Sequence, residues 1–165
     1  MTDNNLALSQ QAGTLLLQKN LKLVTVESCT GGSLAKLVTD IPGASAWFEC
    51  GFTTYSNASK TQQVNVPAEL IAQQGAVSQK VALAMAKGAL SVTDGDIAIS
   101  TTGIAGPDGG TPEKPVGTVC FGFATKDGIF STDKQHFSGD RDAVRNQSIQ
   151  HCLKCLCHYL ETGHF

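Results

Sequence analysis

The sequence predicts an α/β fold: a single three-layer α/β/α domain built on a mixed, mostly parallel sheet of about five strands. Short apolar runs rich in β-branched residues alternate with segments whose apolar residues recur at helical spacing. At 165 residues, 41% of them hydrophobic, the chain is long enough for one core and a cleft. No linker or low-complexity run divides it, so we expect residues 1–165 to form one domain.

The first half of the chain alternates between helical and strand patterns. Helical spacing predicts an amphipathic helix at 6–19 and another helix after Gly31. The β-branched run that ends near Val26 and the apolar segment at 48–55 are typical of strands. Helical patterns then return in three segments, at about 56–64, 67–73 and 78–92.

In the second half, a buried strand at Ile97-Ala98-Ile99 runs into a glycine-rich loop at 101–110. Asp127-Gly128 is a hairpin turn signal, so the flanking segments at about 116–125 and 128–137 are predicted to pair as strands. A final helix is predicted from Asp140 to about Glu161.

Charge and composition exclude several functional classes. The net charge of −2 and the lack of a Lys/Arg cluster argue against a nucleic-acid binder. The first residues lack the basic start and apolar core of a signal peptide, and no apolar run is long enough to span a bilayer. We therefore expect a cytoplasmic protein without a membrane partner, whose six cysteines are reduced thiols.

The final helix carries a dense group of residue types that bind metals, namely His151, Cys152, Cys155, Cys157 and His158. A structural zinc site is one interpretation. The other is a buried helix face, because leucines continue the apolar pattern and free cysteine behaves as a small hydrophobe. The second is favoured, and no metal or cofactor is expected. An exposed apolar face on this helix would support a homodimer.

Ser28 lies where the first strand turns into the second helix, in the segment Glu27-Ser28-Cys29-Thr30-Gly31-Gly32. Such a turn can expose a nucleophile beside helix N-terminal N–H groups, which would stabilise an oxyanion. The alternative is that Ser28 or Thr30 caps the helix, as most such residues do. The segment alone favours the cap.

Further candidates follow strand ends, where ligands bind in open α/β sheets. We expect Ser28, Tyr55 and Thr102 to converge there. Arg141 and Arg145 are four residues apart at the start of the last helix, so they share a face and could clamp a phosphate. Neutralisation by the neighbouring aspartates on a solvated surface is equally compatible with their spacing.

A serine nucleophile needs a base. Of the four histidines only His136 is a reasonable candidate, since the others lie on or beyond the cysteine-rich helix. Ser33 and Lys36 form an S-x-x-K pair, but no K-T-G accompanies it and Ser33 lies past the turn. Lys60 follows the second strand near Tyr55, where the fold could bring it to Ser28. Its alternative is a solvated surface lysine.

Five blocks of sequence together resemble the CinA C-terminal domain family over almost the whole chain. They are Glu27-Ser28-Cys29-Thr30-Gly31-Gly32; Ala46-Trp47-Phe48-Glu49 with Gly51-Phe52 and Thr54-Tyr55-Ser56-Asn57 ahead of Lys60; Gly75-Ala76-Val77-Ser78; Gly103-Ile104-Ala105-Gly106-Pro107-Asp108-Gly109-Gly110 with Lys114-Pro115-Val116-Gly117-Thr118-Val119; and Phe137-Ser138-Gly139-Asp140-Arg141. The length resembles the stand-alone members, which are nicotinamide mononucleotide (NMN) deamidases without the additional N-terminal pyrophosphatase domain.

The resemblance implies hydrolysis of the NMN carboxamide to nicotinate mononucleotide and ammonia, in the recycling of pyridine nucleotides toward NAD. It implies a Ser/Lys dyad, with Ser28 as nucleophile and Lys60 as base. The residues expected to bind the substrate are Glu27, Thr30, Gly31, Tyr55, Thr102, Gly103, Arg141 and Arg145. Two other functions stay open: a non-catalytic nucleotide-binding module, and a general amidase or esterase indifferent to the phosphate.

Overall fold

One mixed sheet organises the chain in the computed structural model, which describes residues 3–165. Its strands are β1 (Leu23–Glu27), β2 (Phe48–Thr53), β3 (Ile97–Gly103), β4 (Thr118–Thr125) and β5 (Phe130–His136). The helices are α1 (Asp3–Lys19), α2 (Ser33–Thr39), α3 (Asn57–Val64), α4 (Ala68–Gln74), α5 (Gln79–Ser91) and α6 (Arg141–Thr162). The predicted fold class is confirmed, and the predicted helices are present with small shifts at their ends.

The sheet has the order β2-β1-β3-β4-β5. β1 is parallel to both β2 and β3, whereas β4 is antiparallel to β3 and to β5. All strands except β4 therefore run in one direction, which agrees with the predicted mostly parallel sheet. The carboxyl ends of β1, β2 and β3 meet at one edge, where open α/β sheets place their ligands.

β3 is longer than the sequence predicts. The prediction ended the strand at Ile99 and assigned Thr101 and Thr102 to the glycine-rich loop, but both threonines lie within β3 and are buried. Thr101 pairs with Glu27 of β1 on one side and with Phe121 of β4 on the other. Pairing on both sides and the β-preference of threonine outweigh the nearby glycines. A short 3₁₀ helix at Ala44–Ala46 was also not predicted.

Two apolar layers sandwich the sheet. Alternate residues along β3 face opposite layers, so that Ile97 and Ile99 pack toward α1, α2 and α6, while Ala98 packs toward α3, α4 and α5. The first core is larger and contains aromatic residues of β4, such as Phe121. The sheet thereby separates the two helical layers of the predicted three-layer arrangement.

The second layer holds α3 in place through a close backbone approach. A Cβ atom added to Gly88 of α5 would lie 1.7 Å from the carbonyl oxygen of Val64, the last residue of α3. Only glycine allows this distance. The position of α3, which carries Lys60, therefore depends on the absence of a side chain on α5.

The apolar face of α6 is buried inside the chain rather than exposed. It packs on α1 and the sheet, and Cys152 and Cys157 belong to the core. The prediction of an exposed apolar face on this helix, which would have supported a homodimer, is therefore wrong.

The metal-binding residue types of α6 do not form a metal site. Among the described side chains, residues 4–165, no three of His, Cys, Asp or Glu lie close enough together to hold a metal ion, and His151 instead contacts Asp133 at 2.9 Å. No helix in this described part of the chain has both the length and the apolar character needed to cross a membrane.

Candidate active site

The turn after β1 presents Ser28 at the carboxyl edge of the sheet. The Ser28 N–H donates to the carbonyl of Thr101 at 3.0 Å, which extends the pairing of β1 with β3 by one residue. The chain then reverses through Gly31 and Gly32, whose φ angles of 63° and 87° lie in the left-handed region that favours glycine. The Gly31 N–H donates to the carbonyl of Ser28 at 3.1 Å. This closed turn fixes the direction of the Ser28 side chain.

Lys60 reaches the same point from α3. Ser56 caps this helix, since its Oγ accepts a hydrogen bond from the N–H of Ser59 at 3.0 Å. One turn into the helix, the Lys60 side chain turns back toward the sheet and is only 1% exposed. Its Nζ lies 3.1 Å from Ser28 Oγ, within hydrogen-bonding distance. The alternative of a solvated surface lysine is therefore wrong.

The surroundings of Lys60 favour its neutral amine. Burial lowers the pKa of this lysine below its ordinary value. Among the side chains of residues 4–165, it forms no ion pair with a carboxylate. Nζ donates to the carbonyl oxygens of Thr54 at 2.8 Å and Tyr55 at 3.4 Å. A neutral amine has two N–H bonds and one lone pair, so these two acceptors leave the lone pair to face the Ser28 hydroxyl.

Glu27 is buried, and its carboxylate caps α2 instead of facing the cavity. Its oxygens accept hydrogen bonds from the N–H groups of Leu34 at 3.0 Å and Ala35 at 2.8 Å. A negative charge at a helix N-terminus is favourable, and the side chain that caps α2 is Glu27 rather than the predicted Ser28 or Thr30. Because Glu27 is engaged there, its carboxylate is not an ion-pair partner of Lys60.

A cavity of about 210 Å³ opens beside Ser28 and Lys60. Of the residues that the sequence predicted for the site, the cavity is lined by Ser28, Lys60, Tyr55, Thr102, Gly103 and Arg141. The predicted residues that lie outside its lining are Glu27, Thr30, Gly31 and Arg145. Its lining also contains residues that were not proposed, namely Cys29, Asn57, Ala76, Val77 and Ala105.

The two arginines predicted to share a role have different surroundings. Arg141 lies in the cavity wall, where its guanidinium donates to the carbonyl of Gly106 at 2.8 Å and to the Tyr55 hydroxyl at 3.2 Å. Arg145 donates to the carbonyl of Thr30 and to Ser33 Oγ, both at 2.8 Å, and so ties the Ser28 turn to α6. In the described part of the chain neither arginine pairs with an aspartate, so the expected alternative of charge neutralisation is wrong.

The threonines around the turn are buried and hydrogen-bonded. Thr30 Oγ1 and Thr101 Oγ1 lie 2.8 Å apart beneath the turn. Thr102 Oγ1 donates to the carbonyl of Ala76 at 2.8 Å, which draws the loop between α4 and α5 against the cavity. Sequence reasoning did not place this loop in the site because it follows a helix rather than a strand. The block Gly75-Ala76-Val77-Ser78 was its only signal.

The remaining reactive side chains do not offer an alternative dyad. Burial raises the pKa of the Cys29 thiol to about 12, so the thiol stays protonated at neutral pH. His136 lies on the edge strand β5, where its Nε2 is 3.0 Å from the carbonyl of Val116. Lys36 is exposed and pairs with Asp40. Among the predicted pairs of nucleophile and base, the structure brings together Ser28 and Lys60.

Comparisons with known proteins show the family to which the chain belongs. The model of the CinA C-terminal domain family matches residues 5–160. The chain is 54% identical over 157 residues to the nicotinamide-nucleotide amidohydrolase PncC of Escherichia coli strain K12, a match that covers 94% of this chain and 95% of that protein. It is 48% identical over 142 residues to a Pseudomonas putida protein of the same name, with 86% and 88% coverage.

Solved structures have the same fold. The competence/damage inducible protein CihA from Agrobacterium tumefaciens superposes with a TM-score of 0.94 at 34% identity, over 98% of each chain. The competence damage-inducible protein A (ComA) from Klebsiella pneumoniae superposes with a TM-score of 0.93 at 32% identity, over 97% of this chain and 99% of that one.

The cap formed by Glu27 makes a testable contribution to stability. Glu27→Gln replaces one carboxylate oxygen by an amide NH₂, which leaves one N–H of α2 without an acceptor and should lower the free energy of unfolding by about 1–3 kcal/mol. Glu49→Gln is the matched control, because Glu49 pairs with Lys22 at the surface and the same change there should cost at most about 1 kcal/mol. Urea unfolding measures both, and equal losses in the two variants would contradict the buried cap.

Proposed function

Because the chain belongs to the CinA C-terminal domain family, we propose that it is an amidohydrolase that converts NMN to nicotinate mononucleotide and ammonia. The observation that carries this proposal is the 3.1 Å contact between Ser28 Oγ and Lys60 Nζ in a cavity that Arg141 also lines. The names of the close relatives agree with this substrate. In this proposal, residues 1–165 function as one domain.

The first step of the proposed reaction is acylation. Neutral Lys60 accepts the Ser28 proton while Oγ forms a bond to the carboxamide carbon, and the carbonyl electron pair moves to oxygen. The Gly31 N–H is engaged with the Ser28 carbonyl and Thr30 lies outside the cavity lining, so we assign the oxyanion to the N–H group of Cys29, which lines the cavity. Among the described residues, this N–H group donates to no acceptor in another residue. One well-placed donor of this kind lowers the barrier by roughly 3 kcal/mol.

Collapse of the tetrahedral intermediate completes the first half-reaction. The Lys60 ammonium gives its proton to the leaving nitrogen, the C–N bond breaks and ammonia departs. Water then attacks the nicotinyl ester of Ser28 with Lys60 again as base. The C–O bond to Ser28 breaks, and Ser28 recovers its proton as nicotinate mononucleotide is released. The cycle uses one water and returns both residues to their starting states.

The cavity suits a cationic ring that carries a phosphate. A pyridinium near Lys60 disfavours a second positive charge and so favours the neutral amine. Tyr55 is 60% exposed at the entrance, where its ring offers a π face to the cation. Arg141 is the guanidinium in the cavity wall, and we assign the phosphate to it rather than to Arg145.

We also propose that the protein acts in the cytoplasm on a free nucleotide, with neither nucleic acid nor membrane as partner. Its six cysteines are free thiols, as is usual in a reducing compartment. The net charge of −2 gives little electrostatic attraction to nucleic acid.

The dyad assignment is tested by two substitutions. Ser28→Ala and Lys60→Met should each lower ammonia release from NMN on the order of 1000-fold or more, because nucleophile and base act as a unit. Lys36→Met is the matched control and should keep full activity, since Lys36 is exposed on α2. Full activity of Ser28→Ala would contradict the assignment. Binding of NMN by the natural protein in calorimetry, with no ammonia released, would support the non-catalytic module instead.

The pH dependence of the reaction reports on Lys60. Only its neutral form can act as base, and burial lowers its pKa below the ordinary value. The value of kcat/KM should therefore rise with pH and level off above the pKa of Lys60 in the free enzyme. A rate independent of pH over the range in which the protein stays folded would contradict a lysine base. The residual activity of Lys60→Met provides the control, since its profile should lack this rise.

The role of Arg141 is tested with a substrate that lacks the phosphate. Arg141→Gln should lower kcat/KM for NMN about 10- to 100-fold, the effect of losing one charged hydrogen bond. Turnover of nicotinamide riboside, which has no phosphate, should change much less. An equal loss for both compounds would contradict the assignment of the phosphate to Arg141. If the natural protein hydrolyses both equally well, a general amidase indifferent to the phosphate is favoured.

A further inference from the structure

A second cavity, of about 300 Å³, lies on the α5 side of the sheet. Three lysines from separate segments line it: Lys80 of α5, Lys114 of the loop before β4, and Lys134 of β5. No aspartate or glutamate is among its lining residues, and the other members are Gln74, Val77, Ser78, Gln79, Thr118 and Cys120. The proposed deamidase chemistry uses none of the three lysines.

The lysines of this cavity are not paired with carboxylates. Among the side chains that the structure describes, residues 4–165, none of the three lysines forms an ion pair. Asp133 precedes Lys134 in β5, but side chains alternate along a strand, and the Asp133 carboxylate contacts Gln135 and His151 on the other face. Three cations therefore share one concave surface in a chain whose net charge is −2.

The cavity shares a wall with the Ser28 cavity. Val77, in the loop between α4 and α5, lines both of them. This loop is held from each side, since Thr102 Oγ1 donates to the Ala76 carbonyl at 2.8 Å and Lys114 Nζ donates to the Gln74 carbonyl at 3.1 Å. A ligand that draws Lys114 away from Gln74 therefore removes one of the two bonds that position the wall.

We propose that this cavity is a second binding site, separate from the Ser28 cavity, for a ligand that carries a di- or triphosphate. Three ammonium groups match the multiple negative charges of such a chain. The absence of carboxylates from the lining disfavours a cationic ligand, and the lysines and hydroxyls disfavour an apolar one. Binding of this ligand alters turnover through the shared wall. This effect on turnover rests on the proposed function, whereas the binding of the ligand is independent of it.

Calorimetry on the full chain at constant ionic strength tests the site directly. Sodium pyrophosphate should bind at least about 10-fold more tightly than inorganic phosphate, since it presents more charge to the three lysines. The double variant Lys80→Gln/Lys134→Gln should weaken pyrophosphate binding at least about 10-fold. Both side chains are exposed, so this variant should fold, which circular dichroism checks. Lys114 is left intact because it bonds to Gln74.

The matched control is Lys19→Gln/Lys154→Gln, which removes the same charge from α1 and α6, on the other side of the sheet. It should bind pyrophosphate as the natural chain does. A comparison of tripolyphosphate with ATP shows which part of the ligand is recognised. Equal affinity means that the site recognises the phosphate chain alone, and tighter binding of ATP means that it recognises the nucleoside as well. Either result supports the site.

Three results would overturn the proposal. The first is that the natural chain does not bind pyrophosphate at millimolar concentration. The second is that the control variant loses as much pyrophosphate affinity as Lys80→Gln/Lys134→Gln does. The third is that Lys80→Gln/Lys134→Gln loses as much affinity for NMN as for pyrophosphate. The last would make the cavity part of the substrate site. Since pyrophosphate binding is measured without NMN turnover, its failure leaves the proposed deamidase activity untouched, and failure of that activity leaves this test valid.

Discussion

The burial of Lys60, with no carboxylate partner among the described side chains, is the constraint on which the site depends. Burial makes a lysine costly to charge and so favours its neutral amine, the form that can act as a base. A carboxylate partner would stabilise the ammonium form and oppose this effect. The fold avoids such a partner in Glu27, whose carboxylate is turned into the N-terminus of α2. It also supplies two carbonyl acceptors where β2 ends, and Gly88 allows α3 to approach α5 closely enough to aim the lysine at Ser28.

Much of the fold could be predicted from the sequence because hydrophobic periodicity is local. The strand, turn and helix around Ser28 follow from a few adjacent residues, and so does the hairpin around Asp127-Gly128. The pairing of Ser28 with Lys60 does not follow from adjacent residues, because the two are 32 residues apart and are brought together by the parallel crossover from β1 to β2. Resemblance to a family, rather than spacing, predicts that pair.

Some residues were placed less well from the sequence because their surroundings depend on tertiary contacts. Arg141 and Arg145 share a helix face by spacing, yet one lies against the glycine-rich loop and the other against the Ser28 turn. Thr101 and Thr102 follow apolar strand residues and precede glycine, a pattern that fits a loop as well as a strand paired on both sides. Such choices depend on which neighbour the tertiary fold supplies, and no local pattern contains that information.

Burial makes the Cys29 thiol beside Ser28 unreactive at neutral pH. Oxidants and alkylating reagents attack thiolates, and a thiol with a pKa of about 12 presents almost none at neutral pH. Its neighbour Ser28 is an alcohol that peroxide does not oxidise under the same conditions. The oxygen of the proposed nucleophile therefore lies next to a sulfur atom that offers peroxide almost no thiolate to attack.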